Sequence, residues 1–164
     1  PGDVVRFIST DPYRIMVSGR TKQYINVFGE EVMVHNTDAA VSKACAATGA
    51  VLRDYTVGPV FMSGTGKGGH EWLIEFEQSP RDMSIFADRL DELLRAENSD
   101  YDAKRYKDLA LIRLSVREAP TGSFDKWLKS RGKLGGQSKI PRLSNDRKYL
   151  DEIQAFINNQ NVTR

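Results

Sequence analysis

The sequence predicts an α+β fold: a small mixed β-sheet with flanking helices. Two observations carry this. Runs of β-branched residues and one-faced helical segments follow one another without the repeated strand–helix period of a doubly wound sheet. The chain has 164 residues and 40% apolar content, which suits one domain with a real core. There is no internal repeat and no low-complexity tract.

The elements follow in order. Segments 4–9 (VVRFIS) and 14–18 (RIMVS) are β-branched runs around the turn signal Thr10-Asp11-Pro12, and they read as an antiparallel pair. The stretch 17–33 then holds a basic and polar loop between two expected turns, at Gly19 and Gly29. Asn36 or Thr37 caps a helix running to about Thr48, whose small residues Ala39, Ala40, Cys45 and Ala46 suit close packing on a sheet. Gly49 stops that helix. Segment 51–62 reads as a strand interrupted at Gly58-Pro59, and 63–69 (SGTGKGG) as a flexible hairpin tip before the strand 70–76.

Ser79-Pro80 is expected to open the next helix, with serine as cap and proline in the first turn. Met83, Phe86, Ala87, Leu90, Leu93 and Leu94 follow at spacings of three, one, three, three and one, which is one apolar helical face. Asn98-Ser99-Asp100 breaks it. A short helix over 101–107, a strand over 109–117, a turn over 119–122 and a helix over 124–131 come next. Segment 132–143 is glycine-rich, basic and read as a loop. Ser144 or Asn145 caps a last helix with Leu150, Ile153, Phe156 and Ile157 on one face.

Composition excludes several classes. No apolar run approaches the ~20 residues that cross a bilayer, and there is no secretory core or lipidation signal. A net charge of +2 does not argue for nucleic acid by itself. Its uneven part is the basic run Lys126, Lys129, Arg131, Lys133, Lys139, Arg142 and Arg147, which either meets phosphate or forms a solvated face. The single cysteine, Cys45, forms no internal disulfide and reads as a small buried apolar residue in a reducing cytoplasm. The chain opens at Pro1 rather than Met, and Gly2-Asp3 reads as mid-motif sequence, so a piece of a longer protein is expected.

No self-contained active site is legible. SGTGKGG lacks the Gly-Lys-Ser/Thr ending and the following helix of a phosphate loop. His35 and His70 read as surface or capping residues and form no metal cluster with Cys45. No nucleophile elbow is present. Three positions stand out for nucleotide chemistry, each with an ordinary surface reading beside it. Asp3 opens a strand after glycine and suits ribose hydroxyls. Arg20 follows Gly19 and suits a phosphate or ribose, and Lys139 sits in GGQSKIPR on a loop limited downstream by Pro141.

These residues carry a likeness. Gly2-Asp3, Arg6 and the run from Gly19-Arg20 through Lys22, Tyr24-Ile25-Asn26 and Phe28-Gly29 resemble the linker and first loop of the C-terminal domain of adenylate-forming enzymes. That group includes acyl- and aryl-CoA ligases, peptide-synthetase adenylation domains and luciferase. The tail is more specific: Gly122-Ser123-Phe124, Trp127-Leu128, Arg131-Gly132 and Lys139-Ile140-Pro141-Arg142 resemble the auxin-responsive acyl-acid amido synthetases (the GH3 family), particularly the bacterial members. The resemblance covers essentially the whole chain, 1–164, as a C-terminal lid domain without its large N-terminal ATP- and acyl-binding domain.

The resemblance implies a two-step ligase that uses ATP and Mg²⁺, both held mainly by the N-terminal domain. A carboxylic acid is adenylated with release of pyrophosphate, and an amine, usually an amino acid, then takes the acyl group and releases AMP. By position, Asp3, Arg6 and Arg20 would bind nucleotide, and Lys22 would be the hinge. Lys139 would be the lysine brought to the α-phosphate during adenylation. The loop with Asn26, Gly29 and Glu30 would face the active site in the second step. Implied partners are the protein's own N-terminal domain and the two substrates, with no membrane and no nucleic acid, in the cytoplasm.

Two departures bear on this. Glu31 stands where many acyl-CoA ligases carry an arginine, which favours an amine acceptor over coenzyme A. The usual proline-x-glycine-lysine is replaced by GGQSKIPR, which keeps Lys126, Lys129 and Lys133 as alternatives to Lys139. An acyl-CoA ligase lid and a non-catalytic module binding a partner protein or nucleic acid are the competing readings.

Overall fold

A three-stranded sheet organises the chain, and helices cover both of its faces. The computed structural model describes residues 3–20, 23–64, 67–108, 110–132 and 139–162. Strand β5 (Val51–Phe61) pairs antiparallel with β6 (Gly68–Gln78), and β6 pairs parallel with β7 (Ser115–Ala119), so the sheet is mixed. Alternation along β6 explains the layers. Trp72, Ile74 and Phe76 enter the larger core with α1 (Val34–Thr48) and α2 (Met83–Glu97), while Leu73 enters a second core with α4 (Ser123–Ser130) and α5 (Lys148–Val162).

Two smaller sheets precede this layer. β1 (Asp3–Thr10) and β2 (Tyr13–Arg20) form the expected antiparallel pair, and β3 (Tyr24–Ile25) pairs with β4 (Val32–Met33). Gly19 lies within β2 opposite Val4 and is no turn, because the ladder continues to the pairing of Asp3 with Arg20. The turn at Gly29 is present, with φ of 80°.

The α2 face is as the spacing predicts, with Phe86, Ala87, Leu90 and Leu94 buried and Met83 and Leu93 packed at its margin. Its start is not: the cap is Asp82, whose carboxylate accepts from the backbone N–H groups of Ser84 and Ile85. Helix α1 begins at Val34, ahead of the expected cap, because Asn36 reaches back from inside the helix to accept the Met33 N–H at 3.0 Å. Gly49 ends it with φ of 71°. Cys45 is buried in its packed face.

β5 is not interrupted at Gly58-Pro59. Val57 turns its N–H and C=O away from β6, toward residues 142–144, and Pro59 shares that phase, so the ladder asks no N–H of it. The short helix α3 spans Ser99–Arg105, with Asn98 as its cap, rather than 101–107. β7 starts at Ser115, and among the described residues an isolated bridge at Leu111 marks the earlier part of the expected 109–117 strand. β5 and β6 form the expected hairpin, but Gly68 and Gly69, read as part of its tip, already belong to β6; Met62 N–H donates to the Lys67 carbonyl at 2.9 Å, and residues 65 and 66 lie outside the described residues.

Two buried carboxylates fix the second layer. Glu75 accepts from the N–H groups of Gly122 and Phe124 at the start of α4 and from Arg53 Nε at 3.0 Å. Glu71 takes Arg147 and Gln154, each at 2.8 Å.

Candidate functional site

Two surfaces are built on the sheet, one around Lys139 and one around the 26–30 loop. The first is an extension of β5. Val57 N–H donates to the Arg142 carbonyl at 2.8 Å, Ser144 N–H returns to the Val57 carbonyl at 3.2 Å, and Leu143 bridges Val57 in parallel sense. Thr56 Oγ1 donates to the Pro141 carbonyl at 2.8 Å. Segment 141–144, whose first three residues are expected as loop and whose last is expected as a helix cap, is therefore bonded along the sheet edge. Ile140 is buried in the second core, and Lys139, directly before it, is exposed.

Arg142 sits among acids and an aromatic ring. Its Nη1 lies 2.7 Å from each carboxylate oxygen of Asp38, its Nε lies 3.9 Å from Asp54, and its guanidinium stands 5.2 Å from the centre of the Tyr55 ring. Tyr55 is held in turn, stacked on Trp72 and donating its hydroxyl to Asp38 at 2.5 Å, with Thr37 Oγ1 at 2.8 Å. Burial pushes the Tyr55 hydroxyl well above its ordinary range, and the Asp38 charge adds to this, so it stays protonated and donates. Burial also pushes Asp54 up, against the Tyr55 N–H and the charges of Arg142 and Lys139. Lys139 thus stands within electrostatic reach of Asp54.

The second surface is the loop between β3 and β4. Asn145 Oδ1 accepts the Asn26 N–H at 2.8 Å and its Nδ2 donates to the Tyr24 carbonyl at 3.1 Å. Asn145 therefore serves this loop instead of capping α5, where Asp146 Oδ1 accepts the Lys148 N–H. Glu30 turns inward. Its Oε1 lies 2.9 Å from His70 Nε2, and its Oε2 accepts the Phe28 N–H at 2.7 Å. Burial raises the Glu30 pKa, but the hydrogen bond and charge of His70 outweigh it and hold the carboxyl below the usual range. His70 is buried, contrary to the surface role read from sequence, because it lies on β6 between Glu30 and the Tyr101 ring. His35 is exposed, as are Asn26, Gly29 and Glu31.

The remaining sequence-predicted residues lie on the first hairpin. Asp3 and Arg20 are direct register partners, at one end of the β1–β2 ladder, and Arg6 is paired with Met16. Lys22 lies outside the described residues. Of the basic tail, Arg131 is paired with Glu152, Arg142 with Asp38, and Arg147 with Glu71 and Asp151. That pairing leaves less of the run to meet phosphate. Lys133 lies outside the described residues. Among the described residues no group of three or more His, Cys, Asp or Glu side chains is placed to hold a metal ion. No described helix is long and apolar enough to cross a membrane.

Sequence reading missed Asp38 and Tyr55, and it names Arg142 only in a basic run and the family-like tail, and Asn145 only as a helix cap. Asp38 and Arg142 are 104 residues apart, and Asn26 and Asn145 are 119 apart, so no local pattern joins them.

A domain with this fold occurs in solved acyl acid amido synthetases. The GH3.15 acyl acid amido synthetase matches with a TM-score of 0.73 and 19% identity, over 94% of this chain and 30% of that one. The structure of AtGH3.15 acyl acid amido synthetase in complex with 2,4-DB matches with a TM-score of 0.71 and 19% identity, over 95% of this chain and 30% of that one. The chain thus spans 30% of the length of these relatives. No curated protein matches it in sequence. The sequence model of the GH3 family C-terminal domain matches residues 35–148, and the chain belongs to that family.

Proposed function

We propose that this chain is the mobile lid of an ATP-dependent amido synthetase and works with a large N-terminal domain in the cytoplasm. In the first step a carboxylate oxygen attacks the α-phosphorus of ATP and pyrophosphate leaves. In the second an amine attacks the acyl carbon, loses a proton, and AMP leaves as the C–O bond breaks. Lys139 is the lysine of the first step, where its charge offsets negative charge building on the α-phosphate; losing one such group costs about 10²–10³ in rate. The exposed loop residues Asn26 and Gly29 border the acceptor in the second step. The hairpin residues Asp3, Arg6 and Arg20 serve the nucleotide, Lys22 is the hinge, and Mg²⁺ is held by the other domain.

The observation that carries this reading is an exposed lysine immediately before a buried anchor on a segment bonded to the sheet edge, in a chain of this family. Fixed backbone and free side chain are what a delivered charge requires. A partner domain is further supported by the first hairpin, which leaves Phe7, Ile8, Tyr13 and Ile15 exposed. The exposed Glu31 supports an amine over coenzyme A, since a carboxylate repels its phosphates.

The test is acid-dependent ATP–pyrophosphate exchange by the full-length enzyme, wild type against Lys139→Ala, over a panel of carboxylic acids. Collapse of exchange in a folded variant is expected. Exchange unchanged by the substitution would move the role to another lysine of the tail, and transfer to coenzyme A but not to amines would replace the acceptor assignment.

A further inference from the structure

Residues 139–145 join the two surfaces in one short segment, and its side chains divide between them. We infer that this segment is a shared strap with two positioning residues: Arg142 sets Lys139 for adenylation, and Asn145 sets the 24–30 loop for acceptor attack. The inference rests on the amido-synthetase reading above.

Arg142 is tied by main chain and side chain at once. Its carbonyl is bonded to Val57, and its guanidinium bridges both oxygens of Asp38 over the Tyr55 ring. One guanidinium nitrogen, Nη1, reaches both carboxylate oxygens, a charge-assisted contact that ties the side chain to Asp38. Asp38 is itself fixed by the Tyr55 hydroxyl, which the Trp72 stack and Thr37 hold in turn. Arg142 has a second effect on Lys139. The guanidinium also draws on Asp54, whose carboxyl feels the Lys139 charge, with its Nε 3.9 Å away, and Lys139 makes no ion pair with a described residue. Without Arg142 the Asp54 carboxylate would draw on the lysine alone. The clamp therefore both anchors the backbone downstream of Lys139 and leaves its ammonium available.

Asn145 lies three residues further along and faces the other way. Both ends of its amide are used on one segment, accepting from Asn26 and donating to Tyr24. That pair of bonds mimics a strand partner for a loop whose own ladder is only two residues long on each side. The far end of the loop is held by Glu30 on His70, so Asn145 supplies the near end. Because both ties originate on one segment bonded to β5, the two surfaces keep a fixed relation while the whole lid turns.

The two roles predict opposite kinetic defects in the full-length enzyme. Arg142→Gln should lower the kcat of ATP–pyrophosphate exchange about 10–100-fold, the cost of a reacting group displaced by about an ångström, with little change in the KM for ATP. Transfer of preformed acyl-adenylate to the amine should stay within about twofold in that variant. Asn145→Ala should do the reverse, slowing transfer by a similar factor while leaving exchange near wild type. Asp38→Asn, which keeps the side-chain shape but weakens the clamp, should repeat the Arg142→Gln defect and guards against a variant that does not fold.

Equal loss of both half-reactions in each variant, tracking thermal stability, would overturn the proposal and make the strap merely structural. Normal exchange in Arg142→Gln and Asp38→Asn, with exchange abolished in Lys139→Ala, would overturn it while leaving the enzymatic reading intact. Exchange that survives Lys139→Ala would instead remove the lysine assignment on which the Arg142 role depends.

Discussion

His70 Nε2 lies 2.9 Å from Glu30 Oε1, and both side chains are closed off from water. The other Glu30 oxygen takes the Phe28 N–H, so the carboxylate has partners on both sides. Replacing His70 by leucine leaves that charge buried with backbone donors alone. We predict a loss of about 3–5 kcal/mol, the usual result of stranding one member of a buried pair. Glu30→Gln should cost less, about 1–3 kcal/mol, because the amide oxygen still accepts from Phe28. Urea unfolding of the three proteins gives the ranking, and a His70→Leu variant as stable as wild type would mean that the pair carries no charge worth compensating.

The same pair enters the pH dependence of stability. Burial raises the carboxyl pKa of Glu30, Glu71 and Asp91, but in each case the partners win. Glu30 has His70, Glu71 has Arg147, Gln154 and Arg117, and Asp91 has Arg105, Tyr101 and the Leu114 N–H. A carboxyl whose folded pKa is depressed binds fewer protons folded than unfolded. Its contribution is present above the unfolded value of about 4 and is lost as pH falls through the folded value. Asp54 has the opposite sign, raised by burial, so its ionised form opposes folding and protonation relieves it. Three against one, unfolding free energy should hold steady from neutral pH to about 5 and fall below about 4. Asp54→Asn should stabilise the protein at pH 7 and lose that advantage in acid. Urea midpoints at pH 7, 5 and 3 check both, and a midpoint that rises on acidification would contradict the balance.

How far the sequence reveals this molecule depends on the range of the interaction. The α2 face and the first hairpin are legible because spacing within a single helix or a single hairpin decides them. Element starts are less so, since several side chains compete for the same free N–H groups. Asp82 takes those of α2 although Ser79-Pro80 precedes it, and Asn36 works from inside α1. Pro59 looks like a break in sequence and is none, because which N–H groups face outward depends on the pairing with β6. The candidate site shows the same limit. Lys139 is visible through its neighbours in the chain, whereas Arg142 gains its meaning from Asp38 and Asn145 from Asn26, across more than a hundred residues. Glu30 reads as a loop acid and His70 as a surface group until β6 is laid beside the loop.

Phe28 and Gly68 define the last prediction. The Phe28 ring occupies the space a side chain at position 68 would take: a Cβ there would lie 1.9 Å from Phe28 Cζ and 2.5 Å from the Val60 carbonyl oxygen. Gly68 opens β6 and is bonded on both sides, donating to the Ala110 carbonyl at 3.0 Å and accepting from Ile112 N–H at 2.8 Å, so the backbone has little room to retreat. Gly68→Ala should therefore cost about 1–3 kcal/mol through overpacking. Phe28→Leu in the same chain should recover part of that loss, since the ring can be replaced, but not all of it, since the Val60 carbonyl cannot move without breaking β5 from β6. A double-mutant cycle measured by urea unfolding isolates the coupling, expected in the range of about 0.5–3 kcal/mol for residues in contact. The ring also holds the middle of the 26–30 loop, so under the amido-synthetase reading Gly68→Ala should slow acyl transfer to the amine more than ATP–pyrophosphate exchange. Additive single effects with no coupling would show that the ring is not what fills the position.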